Sequence, residues 1–266
     1  MRRLRPRASA ARPPRLLSSS NARLAAARRL TRRTARRETG RFLAEGAPAV
    51  REALAASAVI ELFATAEAIA RYPSLTVDAA EISARDAAAL SETVTPQGLV
   101  AVCSVSQPSL AEVLVGSPRL LAVVVEPNDP GNLGTIIRTA DAAGASAIVV
   151  DGGVDPYNGK AVRASAGSLF HLPVVTAPVA DVLRSGLLTL ATSGAGTVDL
   201  DELISDGTLT RPSAWLFGTE AHGLPDSVLS GASHSVRVPI YGRAESLNLA
   251  AAAAVCLYAS ARAQRT

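Results

Sequence analysis

Asn132, Gly134 and Arg138 stand close together in VVVEPNDPGNLGTIIRTADAAGASAIVVD, residues 123–151. An amide that both donates and accepts, a glycine that admits close backbone approach and a planar guanidinium would suit a phosphate-bearing or polar ligand. The spacing predicts strand, loop, helix, strand, with Arg138 about one helical turn beyond Gly134 and facing whatever the loop binds. The glycines do not follow G-x-G-x-x-G. Asp151 does end the next strand, where a ribose-binding acid would stand, but the spacing disfavours a nicotinamide-dinucleotide site. An ordinary strand-to-helix turn with a surface arginine fits the same letters.

A second stretch, WLFGTEAHGLPDSV (215–228), places Glu220 between Gly218 and Gly223 at the predicted C-terminal end of a strand. Open α/β sheets hold their ligands at such ends. A solvated turn glutamate is the alternative, and His222 beside it is a lone loop histidine with no partner in the pattern. A third, VRVPIYGRAESLNLAAAAAV (236–255), runs from a strand through Pro239 and Gly242 into an Ala-rich helix. Ser246 is the expected N-cap of that helix. Asn248 would then lie inside it, where asparagine is a poor helix former without a capping role, which makes it a candidate for chemistry. Arg163, in KAVRASAGSLF, is a candidate phosphate contact or a plain surface residue.

The elements that must position these residues fall into two groups. Residues 21–105 alternate short helices and strands: a basic helix with a break near Gly40, then FLAEG, APAVREALAAS, VIELFAT, AEAIARYP, SARDAAALSETV with Ser83 as N-cap, and GLVAVCSV. This pattern predicts a small α/β domain. Residues 106–119 carry two prolines and read as a linker. From residue 120 to 266 the strands are continuous apolar runs (LLAVVVE, SAIVVD, LPVVT, LLTLAT, SAWLFG, HSVRVPI), as in a parallel sheet buried on both faces, with helices between them. The expected second domain is α/β and doubly wound.

Composition narrows the function. The chain has 266 residues, 48% apolar and only 3% aromatic. Its net charge of +4 conceals an asymmetry. Residues 1–41 hold 14 arginines against the single acid Glu38, whereas the rest holds 13 basic residues against 22 acids. A basic end on an acidic body attracts polyanions without choosing among sequences; a solvated arginine-rich tail is the alternative. Residues 1–20 are expected to be disordered. Cys103 and Cys256 are too few for a disulfide framework or a cysteine zinc site, and His171, His222 and His234 form no ligand pattern, so no metal is expected. No apolar run reaches membrane-spanning length and no secretory signal is apparent, so a cytoplasmic protein is expected.

Taken in order, Asn132-x-Gly134-x-x-x-Arg138, Gly218-x-Glu220-x-x-Gly223-Leu224, and Pro239 followed by Ser246-Leu247-Asn248 closely resemble the three motifs of the TrmH/SpoU branch of the SPOUT RNA methyltransferases. Ala221 departs from the glycine usual after the acid. Residues 21–46 resemble the start of the L30e-like substrate-binding domain that precedes such catalytic domains. The resemblance implies a mostly parallel sheet with a deep trefoil knot, a homodimer, and S-adenosylmethionine bent in the knot. It further implies methyl transfer to a ribose 2′-OH, with 23S ribosomal RNA as the expected substrate; transfer RNA, or a non-catalytic RNA-binding assembly role, are the alternatives. It assigns catalysis to Asn132, Arg138, Glu220, Ser246 and Asn248. Cofactor contacts fall to Thr192, Ser193, Gly194, Gly218, Val238, Ile240 and Leu247. RNA contacts fall to Arg36, Arg37, Arg41 and Arg163.

Overall fold

The computed structural model describes residues 16–219 and 221–265. The N-terminal unit contains α1 (Ala22–Arg29), α2 (Arg33–Thr39), β1 (Arg41–Glu45), α3 (Ala47–Ala55), β2 (Val59–Ala64), α4 (Ala66–Arg71), β3 (Ala80–Glu81), α5 (Ala84–Leu90) and β4 (Leu99–Ser104). Its four strands lie in the order β1-β4-β2-β3, with β4 antiparallel to both neighbours and β3 parallel to β2. Ser83 caps α5 by accepting from Asp86 N, as its sequence position predicts.

The basic helix is not continuous. It breaks after α1, and the carbonyls of Leu30 and Thr31 freed by the break accept from Nη1 of Arg36 at 2.9 and 3.0 Å. A second stop follows at Gly40, whose left-handed φ of 62° closes α2. Residues 16–20, expected to belong to a disordered tail, are tied to the domain. Leu17 N donates to Glu81 O at 2.8 Å, and Ser19 Oγ donates to the buried Asp86 at 2.8 Å. Residues 1–15 lie outside the described residues.

Residues 106–119, expected to be a plain linker, fold into α6 (Leu110–Val115). Ser109 and Glu112 form a reciprocal capping box at its start. Beyond it come β5 (Leu120–Val125), α7 (Pro130–Ala143), β6 (Ala147–Asp151), α8 (Gly159–Ala164), β7 (Val174–Thr176), α9 (Val179–Leu183), β8 (Leu188–Thr192), β9 (Val198–Asp199), α10 (Leu200–Ser205), β10 (Ser213–Phe217), α11 (Asp226–Gly231), β11 (His234–Arg237) and α12 (Leu249–Ala263). The seven strands form one sheet in the order β7-β6-β5-β10-β8-β11-β9, and every registered pair is parallel. All six residues of β5 are buried, the state its unbroken apolar run predicts.

The helices close on the sheet through small residues. A Cβ added to Gly134 would lie 2.3 Å from Ala161 O, so glycine is what lets α7 meet α8. On the sheet's interior side, Trp215 of β10 donates its indole N–H to Ser260 of α12 at 2.8 Å. The two units share one apolar core. Phe42 of β1 packs on Tyr157, with ring centroids 4.9 Å apart, and on Phe170 at 5.8 Å. Arg36 is buried against Asp155 at 2.7 Å, and Arg33 donates to Gly153 O at 3.0 Å. The N-terminal unit is therefore docked on the loop that follows β6.

Candidate active site

The sheet's C-terminal edge gathers the three motif segments. The segment after β5 enters α7 with Asp129 as N-cap and Pro130 at the first helical position. Asp129 Oδ1 accepts from Asn132 N at 2.9 Å, so Asn132 belongs to the first turn of the helix and not to the loop. Asp129 also takes Lys160 Nζ at 2.6 Å. The lysine hydrogen bond, and then the Asn132 amide, hold the Asp129 carboxyl below its usual range.

The third segment arrives beside the first. Asn248 Nδ2 donates to Asn132 Oδ1 at 3.3 Å. Asn248 Oδ1 accepts from Ala250 N at 2.9 Å and Ala251 N at 3.3 Å, which makes Asn248 the N-cap of α12. The capping role expected for Ser246 therefore falls to Asn248. Ser246 lies exposed in the irregular stretch before it. Asparagine and serine cap about equally well, but the helix starts later than a Ser246 cap requires, at Asn248.

The second segment folds back on itself. Thr219 and Gly223 exchange backbone hydrogen bonds of 3.1 and 2.8 Å, and a Cβ on Gly218 would lie 2.2 Å from the Gly223 backbone. Gly223 has φ of +67°, and buried Leu224 anchors the loop's far end. Glu220 lies outside the described residues.

A fourth segment completes the edge. Thr192 Oγ1 donates to Leu216 O at 2.9 Å, tying the end of β8 to β10. Ser193 N donates to Val236 O at 2.9 Å, and a Cβ on Gly196 would lie 2.5 Å from Arg237 N. Residues 193–197 thus cross the end of β11, which is paired to β8 on one side and β9 on the other. Arg237 grips Asp199 through two hydrogen bonds of 2.9 Å, which hold that carboxyl below its usual range. Tyr241 donates to Asp201 at 2.5 Å. Val238 is half-buried on the core, whereas Ile240 and Leu247 expose 37% and 38% of their surface. Gly194 has open space where a Cβ would stand.

Arg138 lies exposed on the face of α7 that also carries exposed Thr135 and half-buried Gly131. It is six residues from Asn132, roughly 9 Å along the axis and about 120° around it. Of the predicted RNA contacts, Arg37 and Arg41 are exposed. Arg36, expected to contact RNA, is instead 5% exposed and bonded to Asp155 and two carbonyls. Arg163 is mostly covered and faces the carboxylate of Glu45 at 3.6 Å, so it bridges the two units. The positioning residues Asp129 and Arg237 were not singled out in the sequence, although Asp-Pro ahead of a helix is itself an N-cap signal.

The sequence profile of the SpoU rRNA Methylase family matches residues 119–258, and that of the MRM3-like substrate binding domain matches residues 21–101. The chain belongs to the SpoU rRNA Methylase family. Among its relatives is the 23S rRNA (guanosine(2553)-2′-O)-methyltransferase RlmP of Bacillus subtilis, 33% identical over 91% of this chain and 96% of the relative. An AdoMet-bound rRNA methyltransferase from Sinorhizobium meliloti is 32% identical, covers 93% of this chain and 97% of its own, and superposes with a TM-score of 0.78. The SpoU methyltransferase AviRb from Streptomyces viridochromogenes, solved with AdoMet, gives 0.79 at 32% identity, over 92% and 98% of the two chains. In this SpoU chain the three motif segments are the loops just described.

Proposed function

We infer that the protein transfers a methyl group from S-adenosylmethionine to a ribose 2′-OH of 23S ribosomal RNA, in the cytoplasm. The observation that carries this reading is the Asn132–Asn248 hydrogen bond, which joins the first and third motifs at one sheet edge beside the second. RlmP and RlmB enzymes, named for 2′-O-methylation of 23S rRNA, are among the relatives.

The edge suits the cofactor. S-adenosylmethionine carries no phosphate and needs backbone hydrogen bonds for its adenine and ribose together with apolar cover. The loops at Ser193–Gly194, Gly218 and Val238–Ile240 offer backbone groups, Thr192 ties their base, and Ile240 and Leu247 offer exposed apolar side chains. When bound, the cofactor supplies a methyl group activated by a sulfonium. Asp129 and Asn248 cap the first turns of α7 and α12, and the Asn132–Asn248 bond ties the two helix starts together. Glu220 and Ser246 complete the polar lining in this proposal. The part of Arg138 is to clamp an RNA phosphate with its fork of N–H donors and orient the attacking hydroxyl. The hydroxyl proton leaves to phosphate or water.

The chain is proposed to act as a homodimer. The exposed face of α12, with Val255 and Tyr258, is the surface offered for it. The crossing of residues 193–197 over β11 supports a trefoil knot, with the chain after Arg237 passing beneath that crossing. The Arg37 and Arg41 side chains supply RNA affinity from the N-terminal unit. No helix among the described residues is long and apolar enough to cross a membrane.

Incubation with labelled S-adenosylmethionine and ribosomal RNA tests the reading. Nuclease digestion of the product is expected to release 2′-O-methylated nucleotides from 23S RNA. Label on a base, or on transfer RNA alone, overturns it. RNA binding without any transfer would favour the non-catalytic alternative.

A further inference from the structure

A cleft of about 370 Å³ runs between α2 and the loops that follow β6 and β7. Its wall on the N-terminal unit is α2, with Arg33 and Arg37. Its floor is apolar at Val105, Val154 and Pro156, and Gln107 and Thr176 offer an exposed amide and hydroxyl. We propose that this cleft is a binding site for the phosphodiester backbone of an unpaired RNA strand next to the methylated nucleotide. The proposal rests on the RNA-methyltransferase reading and adds the path of the strand.

Charge points to the ligand class. The one carboxylate lining the cleft, Asp155, is neutralised by buried Arg36 at 2.7 Å. That leaves the exposed guanidinium groups of Arg33 and Arg37 as the uncompensated charges, spaced four residues apart on one helix face. Arg33 already donates one N–H to Gly153 O, which aims the group along the cleft and leaves other N–H donors for phosphate oxygens.

Position points to the strand's direction. The loop flooring the cleft is bonded to the first motif: Val154 N donates to Pro127 O at 2.8 Å, and Glu126 N to Asp151 O at 2.7 Å. The β6 end lies one strand from β5 and two from β10, roughly 10 Å at the usual strand spacing. That is within one or two nucleotides of the second-motif loop. A strand whose ribose sits at the sheet edge therefore reaches the cleft without leaving the protein surface, and both units hold it.

The test uses the full chain without cofactor, so it stands apart from whether methyl transfer occurs. Binding of a fluorescent oligouridylate of about 12 nucleotides is followed by anisotropy across a salt series. Each lost phosphate contact on a single strand lowers the slope of log affinity against log salt by about 0.7, equivalent to roughly fivefold weaker binding at 0.1 M salt. Arg37→Gln, which removes no described contact, is expected to give that loss, and Arg33→Gln/Arg37→Gln about twice the slope change. Arg85→Gln, an exposed arginine on α5 away from the cleft, is expected to leave the slope unchanged. An unaltered slope in the double variant overturns the proposal. So does an equal loss from Arg85→Gln, or failure of the unsubstituted chain to bind the oligonucleotide.

Discussion

Asn248 and Asn132, 116 residues apart, are joined by a 3.3 Å amide hydrogen bond; Asn248 also caps α12, and the Asn132 backbone N–H donates to the α7 cap Asp129. Asn248 splits its amide between two tasks: Oδ1 caps α12, while Nδ2 reaches α7. The tasks can be separated. Asn248→Asp keeps the capping oxygen and removes the donor, so the melting temperature is expected to stay near that of the unsubstituted protein while methyl transfer falls. Asn248→Ala loses both, at a stability cost of about 1 kcal/mol. Equal activity in Asn248→Asp and the unsubstituted protein would show that the link to Asn132 is idle.

Arg138 is exposed on α7, six residues beyond Asn132. In the proposed mechanism its guanidinium orients RNA and does not hold the cofactor. Arg138→Ala is expected to bind S-adenosylmethionine normally by calorimetry and to lose on the order of 10²-fold in transfer rate. Arg138→Lys retains charge without the planar fork and is expected to recover only part of that loss. Undiminished transfer by Arg138→Ala would remove it from the mechanism.

The sheet was legible because its evidence is local. Apolar runs such as LLAVVV have no polar alternation to assign to a wet face, and β5 is buried throughout. Of the motif residues, Asn132 and Asn248 are brought together, as their motifs lead one to expect. What the letters concealed depends on partners distant in sequence. Arg36 stands in a basic run and reads as a surface cation, but its carboxylate partner lies 119 residues away. Ser246 was expected to cap α12, but the helix starts later and Asn248, bonded to Asn132 of α7, takes the cap. The break between α1 and α2 rests on the same buried arginine, which takes up the carbonyls left open there.

Removing one member of a buried pair costs more than the pair itself contributes, because the remaining charge is left without compensation. Asp155 and Arg36 are 12% and 5% exposed, so Asp155→Ala would strand a guanidinium between the two units. A loss of about 3 kcal/mol in unfolding by denaturant is expected. Since the pair crosses the seam between the units, unfolding is also expected to lose its single cooperative transition. Asp155→Ala unfolding in one transition at an unchanged midpoint would show that the seam does not depend on this ion pair.

His171 clasps the same seam from another side and adds a pH dependence. Its Nδ1 lies 3.1 Å from Asp141 of α7 and its Nε2 3.1 Å from Glu52 of α3. A neutral imidazole has one N–H, so both carboxylates are served only by the imidazolium. The hydrogen bond to Asp141, and then that to Glu52, raise the histidine pKa above its ordinary 6.5. A raised folded-state pKa stabilises fully below the unfolded value, and the contribution is lost as pH rises through the folded value. The effect is modest because the ring is half exposed, with much of the charge screened by solvent. Unfolding midpoints followed upward from pH 6.5 are expected to fall in the unsubstituted chain more than in His171→Gln. Gln can serve both carboxylates only through its neutral amide and does not titrate. Parallel pH profiles for the two proteins would show that the clasp contributes nothing to docking.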